Sequence, residues 1–380
     1  MVPVPSQASD ASVHDVGRAG ASLARELARA RSHSEEVSRR VLRTLASAGA
    51  ADLGFVRGEG FQRGDVAVAI AHMRSLAEAS ATVASIYMIN TILAGALIEW
   101  GGSPRQKASL LPAIHSGTEE FAFALTEPEA GSDAASIQTR ALAVESGYVL
   151  DGQKRFITGA ATADHILIVA RTGEARALTI FVVPRSSDGL SVEVQDKLAL
   201  ENHASCRVVL EGVRVGHDAA LGEGDGVDRA WALLRRSGAL ERLVVAGLAT
   251  GMARTVVSRS IEYARNRQQF GQAISSFQSI QHTLVDSACT LRVMELLVDD
   301  AVEAWERGDD PTQTASTAKY LCSQHLQDIV AMGMRVLGGR AFFDFEDMSR
   351  LYREAPLTLY AGGTNEIQKN LVARSLGLTA

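Results

Sequence analysis

A chain of 380 residues with a net charge of −6 has length for more than one subdomain, and offers no electrostatic case for binding nucleic acid or an anionic membrane. Its three cysteines, Cys206, Cys289 and Cys322, are scattered with no C-x-x-C pair, which argues against a disulfide framework and fits small buried thiols in a reducing cytoplasm. Residues 1–12 show no basic stretch leading into an apolar run, so no secretory signal is expected.

From Asp15 to Ala48 apolar positions such as Val16, Leu23, Leu27 and Val37 recur among arginines and glutamates, and the period predicts helix. Further helical patterns cover Asp65–Ala79 and Val83–Trp100. The second is apolar enough to suggest a membrane span, but it is short and interrupted by Ser85, Asn90, Thr91 and Glu99, so a buried helix is expected. Gly101-Gly102-Ser103-Pro104 stops one helix and starts the next. Residues 1–118 therefore read as a helical domain, with a short connection from Phe55 to Asp65.

The period then changes. Phe121–Leu125, Thr139–Val144, Tyr148–Leu150, Ile166–Ala170, Leu178–Val183 and Cys206–Val215 are short and β-branched or aromatic, separated by turns such as Glu145-Ser146-Gly147 and Ser187-Asp188-Gly189. Residues 119–222 are expected to form an antiparallel, barrel-like β domain. Gly222-Glu223-Gly224-Asp225-Gly226 has Val227 where a dinucleotide fingerprint needs its third glycine, and reads as a plain loop. Helical patterns return over Asp228–Arg265, Phe277–Gly308, Pro311–Leu337 and Asn365–Leu376, which predicts an up-and-down four-helix bundle over 223–380. The fold class is α+β in the order helices, sheet, helices.

Two stretches give backbone N–H groups and small hydroxyls where a flat anionic cofactor could lie: Thr126-Glu127-Pro128-Glu129-Ala130-Gly131-Ser132-Asp133, and Leu359-Tyr360-Ala361-Gly362-Gly363-Thr364-Asn365-Glu366-Ile367-Gln368. Together, and in this order, they resemble the two signature motifs of the acyl-CoA dehydrogenase family, FAD enzymes that desaturate acyl thioesters. The resemblance implies that Thr126 bonds the pyrimidine side of the flavin, Ser132 meets the pyrophosphate, Phe156 covers one ring face and Thr158 sits at N5. Thr364 and Glu366 match contacts to the ribityl and adenosine parts. Arg265-Asn266-Arg267-Gln268-Gln269-Phe270-Gly271-Gln272 resembles the segment that reaches a neighbouring subunit's FAD. Arg267 would pair with pyrophosphate there, Phe270 and Gln278 would follow the adenosine half, and an oligomer (a homotetramer, at least a homodimer) is implied. Arg335-Val336-Leu337-Gly338-Gly339-Arg340-Ala341-Phe342 resembles the family's Leu-Gly-Gly turn, with Arg335 for a common glutamine and Arg340-Ala341 for Asn-Gly; Arg335 and Gly339 are its candidate cofactor contacts.

Desaturation needs a base for the α-proton on the face of the substrate opposite the flavin that takes the β-hydride, and a desolvated carboxylate is suited to it. Many relatives carry this glutamate directly before the last motif's Gly-Thr, where this chain has Gly362. Gly238-Ala239-Leu240-Glu241-Arg242-Leu243-Val244-Val245 resembles the isovaleryl-type and long-chain-type alternative, which puts the base at Glu241 with Arg242 beside it. Ala239 replaces an aspartate near the pantetheine path of isovaleryl-type relatives, so the acyl carrier is coenzyme A or a carrier protein. Ala361 and Gly362 leave room for a branched or cyclic acyl group, and the Gly362 N–H is a candidate donor to the thioester carbonyl. The expected electron acceptor is an electron-transfer flavoprotein or similar protein. Two other readings are a flavin monooxygenase or oxidase, which needs no carboxylate base, and an inactive binding protein, which would be expected to lose Thr126, Thr158 and Thr364. No H-E-x-x-H or G-x-S-x-G motif points to a metal or serine-hydrolase site.

Overall fold

A computed structural model describes residues 10–27, 35–173, 177–200, 202–343 and 347–378. The chain divides into two units: Met1–Ala69 with Thr82–Gly238, and Ile70–Ala81 with Ala239–Ala380.

In the first unit, capping chemistry sets helix boundaries. Pro104 opens the helix Pro104–Ser116 behind a reciprocal capping box between Ser103 and Gln106, and Gly117 closes it in the left-handed conformation at φ +64. Of the helix expected over Asp15–Ala48, the described residues form helix over Asp10–Leu27 and Glu35–Ser47, and residues 28–34 lie outside the described residues. An 18-residue window of the apolar run Ala81–Gly101 is 94% buried inside the protein. It is not uniformly α-helical: Met88–Ala94 is a seven-residue π-helix, where each i→i+5 bond takes in an extra residue. There the Asn90 Oδ1 accepts the Phe121 N–H at 2.7 Å, tying the helix to the first strand.

Seven strands make one sheet: β1 (Phe121–Ala124), β2 (Arg140–Val144), β3 (Gly147–Thr158), β4 (His165–Arg171), β5 (Leu178–Pro184), β6 (Leu190–Gln195) and β7 (Ser205–Val215). Their order is β1-β4-β2-β3-β7-β6, with β5 antiparallel to β4. The sheet is mixed, which corrects the purely antiparallel expectation: β1 runs parallel to β4, because the whole β2–β3 hairpin intervenes as the crossover that a parallel pair requires. β6 is a further strand beyond those expected from the sequence. It is an edge strand with half-exposed or exposed side chains, so it offers little apolar signal. Leu150, Ile168, Phe181, Val183 and Val208 are central to the sheet's core. The Gly222–Gly226 segment is a loop with a 3-10 turn over Glu223–Gly226, as expected.

The second unit is built on Ala239 onward of the helix Ala230–Asn266, with Gln278–Glu306, Thr312–Leu337 and Asn365–Ser375. The expected bundle helices are all present, and two short ones, Asp347–Glu354 and Leu357–Tyr360, add to them. Thr312–Leu337 is central, packing on Gln278–Glu306, Asn365–Ser375 and Asp347–Glu354. At Gly333 an added Cβ would fall 2.6 Å from Met348 Sδ and 2.7 Å from Val256 Cγ1, so the close helix approach there depends on glycine. Arg254 bonds Glu78 (2.9 Å) and Glu295 (2.7 Å) and Arg74 bonds Asp299 (2.8 Å), which fastens residues 70–81 to this bundle.

Candidate active site

In the sheet unit a buried ion pair positions the Thr126 turn. The Lys154 side chain has no exposed surface, and its Nζ donates to Glu127 Oε1 at 2.8 Å and to Leu125 O at 3.0 Å. The same carboxylate accepts the N–H groups of Gln138 (2.5 Å) and Thr139 (2.9 Å). Burial opposes ionisation of Glu127, but the Lys154 charge and these N–H bonds outweigh it and leave its pKa below the ordinary value. Burial also brings Lys154 down to about 8, against the pull of Glu127. The Arg155 N–H then donates to Thr126 O at 2.9 Å, joining the turn to β3.

Beside that joint, β3 slips register against β7 between Lys154 and Ile157. Phe156 stands in the slip at φ +60, 60% exposed, with the Arg155 guanidinium 5.0 Å from its ring centre. A β-bulge re-aims a side chain, and a left-handed aromatic residue costs energy that a purely structural strand has no reason to spend. Thr158 follows, half-buried and paired with Ser205. Thr126, Phe156 and Thr158 are thus brought together at one end of β3, and Ser132 is exposed in the following loop.

In the helical unit the second signature forms a turn with two consecutive left-handed glycines, Gly362 (φ +67) and Gly363 (φ +88). Thr364 ends it as the N-cap of Asn365–Ser375, its Oγ1 accepting the Ile367 N–H at 3.3 Å. Glu241 and Arg242 are half-buried, and the Val244 and Val245 that follow are fully buried. A Cβ added at Gly362 would lie 3.6 Å from both Glu241 Cγ and Val245 Cγ2, so a side chain at residue 362 would contend with Glu241 for the same volume. Desolvation raises the Glu241 pKa; the positive charges of Arg242 and Lys319 and the hydrogen bond from the Gly362 N–H work against that rise. The Arg242 Nε is buried without a hydrogen-bond partner.

Three further residues of this unit, not expected from the sequence, hold the signature turn. Lys319, Ser323 and Gln327 stand four apart on Thr312–Leu337, on one helix face. Lys319 Nζ donates to Leu359 O (3.0 Å), Gly363 O (2.7 Å) and Asn365 Oδ1 (2.9 Å). Ser323 Oγ donates to Thr358 O at 2.7 Å, and Gln327 Nε2 to Ala355 O at 3.0 Å. From the other side Gln368 Nε2 donates to Gly362 O and Gly363 O, both at 3.0 Å. In sequence this four-residue spacing looks like any polar helix stripe; only a partner turn rich in free carbonyls gives it meaning.

Arg267, Phe270 and Gln278 are exposed. Phe270 (φ +52) and Gly271 (φ +82) form the two-residue turn between β8 (Gln268–Gln269) and β9 (Gln272–Ala273), and Phe270 is 93% exposed. Arg335 is exposed in the last turn of Thr312–Leu337, where a cation suits the helix dipole whatever else it contacts. Gly338 follows it at φ +61, and Gly339 is exposed. Ala361 is half-buried and Glu366 exposed on the signature turn and its helix.

Three family models match: the acyl-CoA dehydrogenase N-terminal domain over residues 16–118, the middle domain over 122–213 and the C-terminal domain over 228–377. The chain is 30% identical over 348 residues to the caffeyl-CoA reductase-Etf complex subunit CarC of Acetobacterium woodii, covering 90% of this chain and 91% of that protein. Among solved structures it is similar to butyryl-CoA dehydrogenase from Megasphaera elsdenii, at a TM-score of 0.88 and 26% identity, covering 96% of this chain and 98% of that one. It is also similar to an FAD complex of PigA, at a TM-score of 0.91 and 26% identity over 100% of both chains. The chain belongs to the acyl-CoA dehydrogenase family of flavoenzyme oxidoreductases.

Proposed function

We propose that the protein is an FAD-dependent acyl-thioester dehydrogenase in which Glu241 removes the α-proton. The observation that carries this reading is the half-buried carboxyl held above its ordinary range beside Gly362. Bound FAD would supply the acceptor for the β-hydride. Residues of the chain fit that cofactor: Phe156, strained and exposed at the bulge, suits a ring cover, while Thr126, Thr158 and Ser132 offer hydroxyls. Thr364, Glu366, Gly339, Arg335 and, from a second subunit, Arg267, Phe270 and Gln278 are the remaining assignments.

Desolvation makes Glu241 a stronger base, and Arg242 and Lys319 keep enough positive charge near it for the anion to form. The Gly362 N–H is the proposed donor to the thioester carbonyl, which makes the substrate's α-carbon more acidic. The same N–H then stabilises enolate charge on the carbonyl oxygen. Ala361 borders the acyl group, and the partnerless Arg242 Nε is available to a polar substrate atom.

Coenzyme A is the proposed carrier, by analogy with the CoA-named relatives, and an electron-transfer flavoprotein the proposed acceptor, by analogy with the Acetobacterium complex. A carrier-protein thioester is the second reading, since Ala239 is buried and gives a pantetheine arm no carboxylate partner. We place the protein in the cytoplasm as a homotetramer with domains 1–118, 119–222 and 223–380. The monooxygenase or oxidase alternative is not favoured, since it gives a buried carboxylate such as Glu241 no task.

Anaerobic titration of the purified flavoprotein with coenzyme A and carrier-protein thioesters tests the proposal. At least one should bleach the flavin, and bleaching should slow as pH falls through a value above the ordinary carboxylate range, because the protonated base is inactive. Flavin that dithionite reduces but no thioester bleaches would end the reading. Arg267→Ala should lower FAD retention roughly tenfold, the scale of one charge-assisted hydrogen bond. An unchanged flavin-to-protein ratio after gel filtration would count against a site completed by a second subunit.

A further inference from the structure

We infer that Lys319 is a positioning residue for the Glu241 base, acting through the signature turn that it holds and through its charge. The inference rests on the assignment of Glu241 above. Lys319 is fully buried and remote in sequence from both partners, yet its three hydrogen bonds all go to one target. Two are backbone carbonyls, Leu359 O and Gly363 O, on either side of Gly362, and the third is the side chain of Asn365 at the start of the following helix. One ammonium group thereby fixes the entry and exit of a turn whose centre is two left-handed glycines with little stiffness of their own. Gly362 inside that clamp is the residue that lies against Glu241: a Cβ added there would fall 3.6 Å from Glu241 Cγ.

The charge matters separately from the hydrogen bonds. The groups acting on Glu241 are Arg242 on its own helix, Lys319 on Thr312–Leu337 and the Gly362 N–H on the turn. Those acting on Lys319 are Glu241, Glu366 and Arg242. Burial brings Lys319 down to about 8, so at neutral pH it is still mostly cationic. A cation there favours the Glu241 carboxylate and keeps the base available near neutrality. Arg242 alone would have to do this if Lys319 were neutral. Neither role requires Lys319 to touch the substrate.

The test compares Lys319→Gln, which keeps a donor but removes the charge, with Asn365→Asp, which leaves the lysine and offsets its charge with a carboxylate at a helix start that tolerates one. Substrate-driven flavin bleaching is followed by anaerobic stopped flow from acid to alkaline pH in flavin-loaded protein. Both variants should move the acid limb to higher pH, by on the order of one unit, as expected when a neighbouring cation is lost or masked. A purely structural lysine would alter flavin content or thermal stability and leave the limb in place. If Lys319→Gln does not fold, Asn365→Asp decides alone. An acid limb within error of wild type in the folded variants overturns the inference while the base assignment stands. Wild-type protein that no thioester bleaches overturns the assignment, and this inference with it.

Discussion

Glu241→Gln is expected to keep its flavin yet slow substrate-driven bleaching by about 10³-fold or more, the upper range for loss of a general base. The amide keeps the size of the side chain beside Gly362, so the turn should hold its shape while proton abstraction is lost. The flavin spectrum before substrate should match wild type, because the residues assigned to the ring lie elsewhere in sequence, at Thr126, Phe156 and Thr158. Glu241→Asp should recover part of the rate, since it restores the carboxylate one methylene short. Stopped-flow bleaching at saturating thioester separates the cases. Undiminished bleaching in Glu241→Gln would remove the residue from the chemistry.

The second large effect falls on stability. Lys154→Met strips the partner from Glu127, which is 5% exposed, and leaves its charge facing only N–H donors. Breaking a buried pair from one side typically costs about 3–5 kcal/mol. The double variant Glu127→Gln/Lys154→Met should recover much of that loss, because no buried charge remains to be stranded. The pH dependence has a definite sign. Glu127 has a lowered pKa in the folded protein, so its contribution is fully present above the unfolded value of about 4.3 and is lost as pH falls through the lower folded one. The gap between wild type and Lys154→Met in denaturant unfolding should therefore narrow in acid. An equal gap at all pH values would show that lost packing, not charge, sets the cost. Flavin retention should fall together with stability, because the same pair anchors the Thr126 turn.

Several features of the fold and the site were readable in the sequence, from local causes or from the family resemblance. Ser103-Pro104 sets a helix start through its own hydroxyl and ring. The glycine pair at Gly362-Gly363 announces a turn because few other residues accept its dihedral angles. Glu241 stood out because the usual carboxylate position holds glycine, and the volume beside Gly362 is the one Glu241 occupies. The Lys319-Ser323-Gln327 stripe was not legible, since polar residues four apart more often face water. The bulge that turns Phe156 outward was equally hidden, because a register slip belongs to the pairing of β3 with β7 and to neither strand alone.

The order of helices, sheet and helices came from the chain itself, because a period of 3.6 or of 2 is written wherever one face of an element is buried. The choice of Glu241 over Gly362 as the candidate base came from the resemblance of its segment to the isovaleryl-type branch of the family. Tertiary packing decided the surroundings of that carboxyl, by joining desolvation to the charges of Arg242 and Lys319 and the backbone of Gly362 from three separate segments. It also decided the parallel pairing of β1 with β4, the π-helical turn at Asn90 and the buried pair beneath Thr126. Each of these depends on partners distant in sequence, and an electrostatic or hydrogen-bonding partner leaves no periodic trace in the residue it contacts.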